Sequence, residues 1–246
     1  MRRLLARSKP APDNVRLWLM LALTFSTGVA DAVGYLGLDK VFTGNMTGNI
    51  VILGMAVAGA EGLPILGPVV ALLGFMFGAA VAGRALRGRV SAWTGVTTWI
   101  LLAVGFFLVV AAVLLALPLD IEPSAIHPVA AGILATTMGA QAAAARHLAV
   151  KDVTTVVVTS TITGLAADSW FGARVAQPWI RRFLAIALIA GGAATGALLV
   201  TVGIAYGVAL SAGITFVCAW LGHAYGRSKA AVIPPAPKAK VAQTIP

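Results

Sequence analysis

The sequence predicts an all-α integral membrane protein: six transmembrane helices plus two short broken, re-entrant helices, arranged as two inverted three-span repeats. Three observations lead there, namely composition, the placement of basic residues, and a likeness between the two halves of the chain. Of 246 residues, 59% are apolar and 11% charged, with a mean hydropathy of +0.94. An ordinary soluble domain carries about 25% charged residues, so a cytosolic globule is excluded. Eighteen Lys and Arg against eight acids give a net charge of +10. These basic residues fall between and beyond the apolar runs, which is a topology signal and not a nucleic-acid footprint.

The first span is Arg16 to Leu38, entered from a polar head, Met1 to Val15, that carries Arg2, Arg3, Arg7 and Lys9. About 20 residues at 1.5 Å each cross the hydrocarbon. No A-x-A-like cleavage site follows, so the run reads as a retained helix and not a signal peptide. Next comes Asn45 to Ala60, entered through TGNMTGN, which is short and polar at its start. Pro64 to Gly83 and Gly95 to Leu117 are full-length spans and complete a first membrane repeat over 16–117. An outer loop, 118–127, leads to a second repeat over 128–225. Its full-length spans are Pro128 to Ala145, Phe183 to Gly203 and Gly207 to Ala224, with a short polar run, Thr154 to Trp170, containing TSTITG. The tail, 226–246, with Arg227, Lys229, Lys238 and Lys240 among Pro and Ala, is expected to be disordered and to touch anionic lipid weakly.

Basic residues near span ends favour the cytoplasmic side and decide between six crossings and eight. With six crossings and a cytoplasmic N-terminus, the inner segments hold 17 of the 18 Lys and Arg, and only Lys40 lies outside. The outer connections then carry Asp39, Glu61, Asp120 and Glu122. Eight crossings would export Arg84, Arg87, Arg89, Arg146 and Lys151. The two short runs therefore enter and leave on the same side. Surface-lying amphipathic helices are the alternative, but NIVILGMAVAGA has no polar face to lay on headgroups.

The halves match in order and in detail. Thr27 to Ala32 lines up with Met138 to Ala142, facing Asp31 with Gln141, and Phe42 to Gly48 lines up with Val158 to Gly164. Gly74 and Gly78 answer Gly192 and Gly196, small-xxx-small patterns that let helices approach closely, within one chain or between copies in a homo-oligomer. Three crossings per half invert the second copy, the arrangement in which two irregular stretches meet near the bilayer midplane.

At GVADAVGYLGLDKVFTGNMTGNIVILG (Gly28 to Gly54) and MGAQAAAARHLAVKDVTTVVVTSTITGLAADS (Met138 to Ser169) the chain resembles the YoaK-like family of multispan bacterial inner-membrane proteins. The resemblance runs from Leu17 to about Tyr225. It implies six spans and brings no established substrate. Two positions depart from the family's habit: Ala142 stands where an Asn is usual, and Lys151 where a Pro is frequent.

Thr43, Asn45, Thr47 and Asn49 place hydroxyls and amides at membrane depth, where each unsatisfied polar group is expensive. With two glycines beside them, they can open the backbone and cap a helix starting near Asn49, whose N-terminal dipole favours an anion or polar solute. They can instead serve only to satisfy the broken backbone. Thr159, Thr161 and Thr163 are the second-half counterpart, and Gln141 completes the candidate substrate-binding set. Asp31, about four turns beyond Arg16, is an intramembrane ionisable group and the candidate for proton or cation coupling. Asp168 is a weaker one, with Arg174 as its expected partner. Tyr35 and the six Trp residues read as interfacial anchors.

Catalysis has little to rest on. His127, His147 and His223 lie at different span ends without metal-ligand spacing, and one cysteine, Cys218, makes no internal disulfide. A hydrolase using Ser160 and His147 lacks anything to orient the base. The expectation is a non-enzymatic small secondary transporter or channel-like permease for a small polar solute or ion. It needs no cofactor, metal or nucleic acid, and sits in the bacterial inner membrane with both termini cytoplasmic. The alternative is a non-transporting scaffold or partner subunit.

Overall fold

The structure, a computed structural model, describes residues 12–118, 123–148 and 158–226, with side chains placed over 14–118, 125–148 and 158–225. Most of the polar head, the acidic centre of the outer loop with Asp120 and Glu122, Lys151, Asp152, Thr154 and the tail beyond Gly226 lie outside the described residues.

Every regular element among the described residues is helical: α1 (Pro12–Gly37), α2 (Met46–Val57), α3 (Leu66–Leu86), α4 (Gly95–Ala116), α5 (Pro123–Leu148), α6 (Val158–Ala167), α7 (Trp179–Val202) and α8 (Ile204–Leu221), closed by a π-turn over Gly222–Gly226. Among the described residues five helices, α1, α3, α4, α7 and α8, are long and apolar enough to cross a membrane. The sixth long one, α5, spans 26 residues but is Ala-rich, packs between α3 and α4, and directs Thr137 and Gln141 into protein. At 12 and 10 residues, α2 and α6 reach about 18 and 15 Å at 1.5 Å per residue, well short of a hydrocarbon layer of about 30 Å.

The helix starts and stops follow local chemistry. Thr94 and Thr97 form a reciprocal capping box at the start of α4, which supplies two of the amides a helix N-terminus leaves orphaned. A single residue, Gly203, separates α7 from α8. Serine and threonine in the spans return their hydroxyls to their own helices, Thr24 to the Met20 carbonyl at 2.9 Å, Thr27 to Leu23 at 2.9 Å and Thr215 to Ser211 at 2.8 Å. Between helices, Ser26 and Ser211 exchange hydroxyl-to-carbonyl bonds of 3.4 and 3.3 Å, tying α1 to α8.

Two tightly packed parallel pairs, α1 with α7 and α3 with α5, form the centre of the molecule, and they are built alike. Gly28 faces the carbonyl of Ile189, three residues before Gly192, while Gly192 faces that of Phe25, three residues before Gly28. In the second pair Gly139 faces the carbonyl of Phe75, three residues before Gly78, and Gly78 faces that of Thr136, three residues before Gly139. A Cβ at any of the four would overlap the facing backbone. These glycine faces thus pack inside one chain.

Overlaying one pair on the other by these contacts sets Gly78 on Gly192, Gly28 on Gly139 and Asp31 on Ala142, where the sequence alignment sets Gly74 on Gly192 and Asp31 on Gln141. Helices α4 and α8 run antiparallel, with Trp93 at the start of α4 against Gly222 and Gly105 against Phe216. Trp93 is accordingly not an interfacial anchor: it is 2% exposed, and its Nε1 donates to Thr98 Oγ1 at 3.0 Å. The other five Trp residues are well exposed.

Candidate functional site

After α1 the chain turns back through two consecutive residues with left-handed backbone, Asp39 (φ 62) and Lys40 (φ 58). Val41 N then donates to the Gly34 carbonyl at 3.3 Å, and Lys40 Nζ is tied to the Gly62 carbonyl at 2.7 Å. This brings Phe42 onto Tyr35 as a stacked pair, ring centroids 4.9 Å apart. The following residues wrap the Asp31 carboxylate. Its Oδ1 accepts from the backbone N–H of Thr43 (2.9 Å), Gly44 (2.6 Å) and Asn45 (3.3 Å), and from Thr43 Oγ1 (3.3 Å). Three successive amides converging on one oxygen make an anion-binding nest, and the anion is part of the protein.

That arrangement revises the expected chemistry. The helix begins at Met46, not near Asn49, and Asn45 is its N-cap, with Oδ1 accepting from Gly48 N at 3.2 Å. The three amides that lead into α2 are taken by a built-in carboxylate, so an anionic solute would compete with Asp31 for the same donors. Asn49 is structural: it is 1% exposed, its Oδ1 accepts from Phe42 N at 2.8 Å, and its Nδ2 donates to the Phe42 carbonyl at 2.7 Å. Thr43 is fully buried in the Asp31 nest. Gly44 and Gly48 are required by space, since a Cβ would approach Thr27 Cγ2 to 2.9 Å in one case and the Phe42 ring to 2.6 Å in the other.

Beside this loop lies a cavity of about 610 Å³. Asp31, Asn45, Thr47 and Thr159 line it, so residues from both polar segments reach one space. Its remaining walls include Thr27, Tyr35, Phe42 and Val158. Asn45 and Thr47 are exposed there, whereas Thr43 and Asn49 shape the loop from behind. Thr27, Asp31 and Tyr35 share one helical stripe at i, i+4, i+8, a spacing that was available in the sequence and identifies the α1 wall.

Gln141 sits one side chain further in. It is 1% exposed, donates from Nε2 to Thr27 Oγ1 at 3.2 Å and to the Leu23 carbonyl at 3.5 Å, and its Oε1 has no hydrogen-bond partner among the described residues. It touches the cavity only through Thr27. On α6, Thr163 continues the face of Thr159 one turn away and Thr161 lies on the opposite side. Neither lines the cavity. Asp168 pairs with Arg182 at 2.7 Å, not with Arg174. Arg174 turns to Trp170, its guanidinium 5.0 Å from the ring centroid. Arg182 also donates to Gln177 Oε1 at 2.8 Å and lies across Gly164, where a Cβ would meet its Cζ at 3.0 Å. This cluster fastens α6 to α7 and lines no wall of the Asp31 cavity. Among the described residues, no group of three or more His, Cys, Asp or Glu is placed to hold a metal ion.

With this geometry in hand, residues 19–221 match the family described as "Protein of unknown function (DUF1275)". The chain belongs to that family. It is also similar to the UPF0700 transmembrane protein YoaK of Bacillus subtilis (strain 168), with 31% identity over 151 residues, 61% of this chain. The match covers 65% of that relative's own length, just under two thirds. No solved structure matches. Family and apolar helices together make this a multi-pass membrane protein.

Proposed function

We propose that the chain is a small secondary transporter or channel-like permease of the bacterial inner membrane, non-enzymatic, moving a small polar solute through the Asp31 cavity. The observation that carries this reading is the cavity itself. An intramembrane carboxylate, the exposed N-cap Asn45, Thr47 and the second-half Thr159 converge on one space of about 610 Å³, in a fold whose two short helices are too short to cross. Polar groups around a concave space at membrane depth are the usual form of a solute site. Since Asp31 already takes the three amides that lead into α2 and Asn45 caps its first turn, the solute this site favours is one that donates hydrogen bonds, neutral or cationic, with Asp31 as the coupling group.

Helix directions support six crossings. Parallel α1 and α7, parallel α3 and α5, and antiparallel α4 and α8 are all satisfied when α2 and α6 return to the side they entered. Eight crossings would make α4 and α8 parallel. The matched glycine contacts support two halves related by inversion, because exchanging α1 with α5 and α3 with α7 maps one tight pair onto the other. With 17 of 18 basic residues then on one side, both termini are assigned to the cytoplasm.

The scaffold reading draws support from Thr43 and Asn49, whose polar atoms are fully engaged within the protein. Proteoliposome uptake distinguishes the two. A panel of amines, amino acids, polyols and urea is offered to wild type, Asp31→Asn and Thr47→Trp, the last of which fills the cavity from an exposed position. At least one solute should enter with wild type and be reduced tenfold or more by both substitutions. Uptake of every solute at the rate of empty vesicles, or uptake unaffected by Thr47→Trp, refutes the permease.

A further inference from the structure

A second cavity, of about 900 Å³, opens where the C-terminal ends of α3 and α5 converge. Its mouth carries Arg87, Arg89 and Arg146 with Ser91 and His147, and no carboxylate lines it among the described residues. Two of these groups are held in place: Arg89 Nε donates to the Ala85 carbonyl at 3.0 Å, which leaves its terminal nitrogens for other acceptors, and His147 Nε2 lies 2.9 Å from the Val90 carbonyl. Deeper in, the walls are apolar: Phe75, Ala79, Gly83 and Ala142. From Phe75 to Arg87 is about 18 Å along a helix, so the cavity is cationic at one end and hydrocarbon-like over its length.

One wall of this space can be compared with one wall of the Asp31 cavity. With Gly28 set on Gly139, the positions of Asp31 and Tyr35 on α1 are those of Ala142 and Arg146 on α5, a methyl group and a guanidinium in place of an acid and an aromatic ring. A cavity with three arginines at its mouth and no carboxylate among its described lining calls for an anion.

We propose that this cavity binds an anionic phospholipid of the surrounding bilayer, its headgroup phosphate held by Arg87, Arg89 and Arg146 and an acyl chain lying along Phe75, Ala79 and Gly83. Arginine guanidinium groups match phosphate oxygens in pairs, and basic pockets between transmembrane helices at the positively charged face suit such headgroups. Charge complementarity selects an anionic lipid over a zwitterionic one, and the apolar floor selects a lipid over free phosphate, which would leave most of the volume unfilled.

The test uses the full chain purified in neutral detergent and titrated with phosphatidylglycerol, phosphatidylcholine or inorganic phosphate, with lipid retention read by native mass spectrometry and thermal stability in parallel. Phosphatidylglycerol should be retained at least tenfold better than phosphatidylcholine. Arg146→Gln and an Arg87→Gln/Arg89→Gln double variant should each remove that preference, while Arg84→Gln, outside the cavity, should keep it. Gly83→Trp supplies a second handle: nothing lies within 4 Å of a Cβ there, so the helix tolerates it, yet the ring fills the floor and should displace lipid with every arginine intact. Retention of phosphatidylglycerol by Arg146→Gln at the wild-type level, or by Gly83→Trp undiminished, overturns the proposal. So does inorganic phosphate that stabilises wild type and Gly83→Trp alike and displaces the lipid, which would make the site one for free phosphate.

Discussion

Asp31→Ala is the sharpest test of the loop that forms the cavity wall. It removes the acceptor of four hydrogen bonds and leaves the amides of Thr43, Gly44 and Asn45 without a partner. Thr43 and Gly44 are buried and Asn45 is exposed, so two of the three orphaned amides carry a full desolvation penalty. At about 1–3 kcal/mol for each buried unsatisfied donor, the variant should lose about 3 kcal/mol. Asp31→Asn retains one neutral acceptor. Charge-assisted bonds are roughly twice as strong as neutral ones, so it should lose about half as much. Thr43→Val, which deletes only the 3.3 Å hydroxyl contact, should stay within about 1 kcal/mol of wild type. Reversible unfolding by SDS titration in mixed micelles measures all three. An order other than Ala, Asn, Val from largest loss to smallest, or an alanine variant within about 0.5 kcal/mol of wild type, contradicts the nest.

Three further outcomes follow from packing and pairing. Gly78→Ala and Gly192→Ala drive a methyl into the facing carbonyls of Thr136 and Phe25, and each should lose about 1–3 kcal/mol in the same titration; Gly54→Ala and Gly213→Ala meet nothing within 4 Å and should gain about 0.5–1 kcal/mol from helix propensity. Arg182→Gln separates Asp168 from its partner and should make α6 the first site cut in limited proteolysis, with Arg174→Gln cut no faster than wild type. Trp93→Phe removes the bond to Thr98 and should lower stability by about 1 kcal/mol, seen as a lower Tm, while Trp99→Phe, 73% exposed, should leave Tm unchanged.

Hydropathy and the small-residue patterns place the long helices and the two short ones to within a few residues, because a membrane span must satisfy its own backbone and be apolar wherever lipid touches it. α5 is the informative exception: its Thr136, Thr137 and Gln141 lower its hydropathy because neighbouring helices, and not lipid, cover that face. TGNMTGN is visible as a break, but the division of labour inside it is not. Asn45 and Thr47 face the cavity while Thr43 and Asn49 hold the loop, and that depends on Asp31, twelve residues before Thr43, accepting from the three amides that lead into α2. The Asp168 pairing was missed for a similar reason. Arg174 is nearer in sequence, but Arg182, one turn into α7, reaches back across Gly164. Alanine-rich segments align equally well in several ways, so the alignment of the two halves differs by one residue and by one turn from the overlay of the two helix pairs on their contacts at Gly28, Gly78, Gly139 and Gly192.

The account stands on two polar segments that enter the membrane without crossing it, and paired cysteine accessibility tests this most directly. In a Cys218→Ala background, Glu61→Cys lies between α2 and α3 and Ser91→Cys between α3 and α4. Intact cells treated with a membrane-impermeant maleimide should label Glu61→Cys and leave Ser91→Cys unmodified until the membrane is permeabilised. Labelling of Ser91→Cys from outside, with Glu61→Cys protected, would mean that α2 crosses, and the cavity built around it would no longer be a solute site at membrane depth.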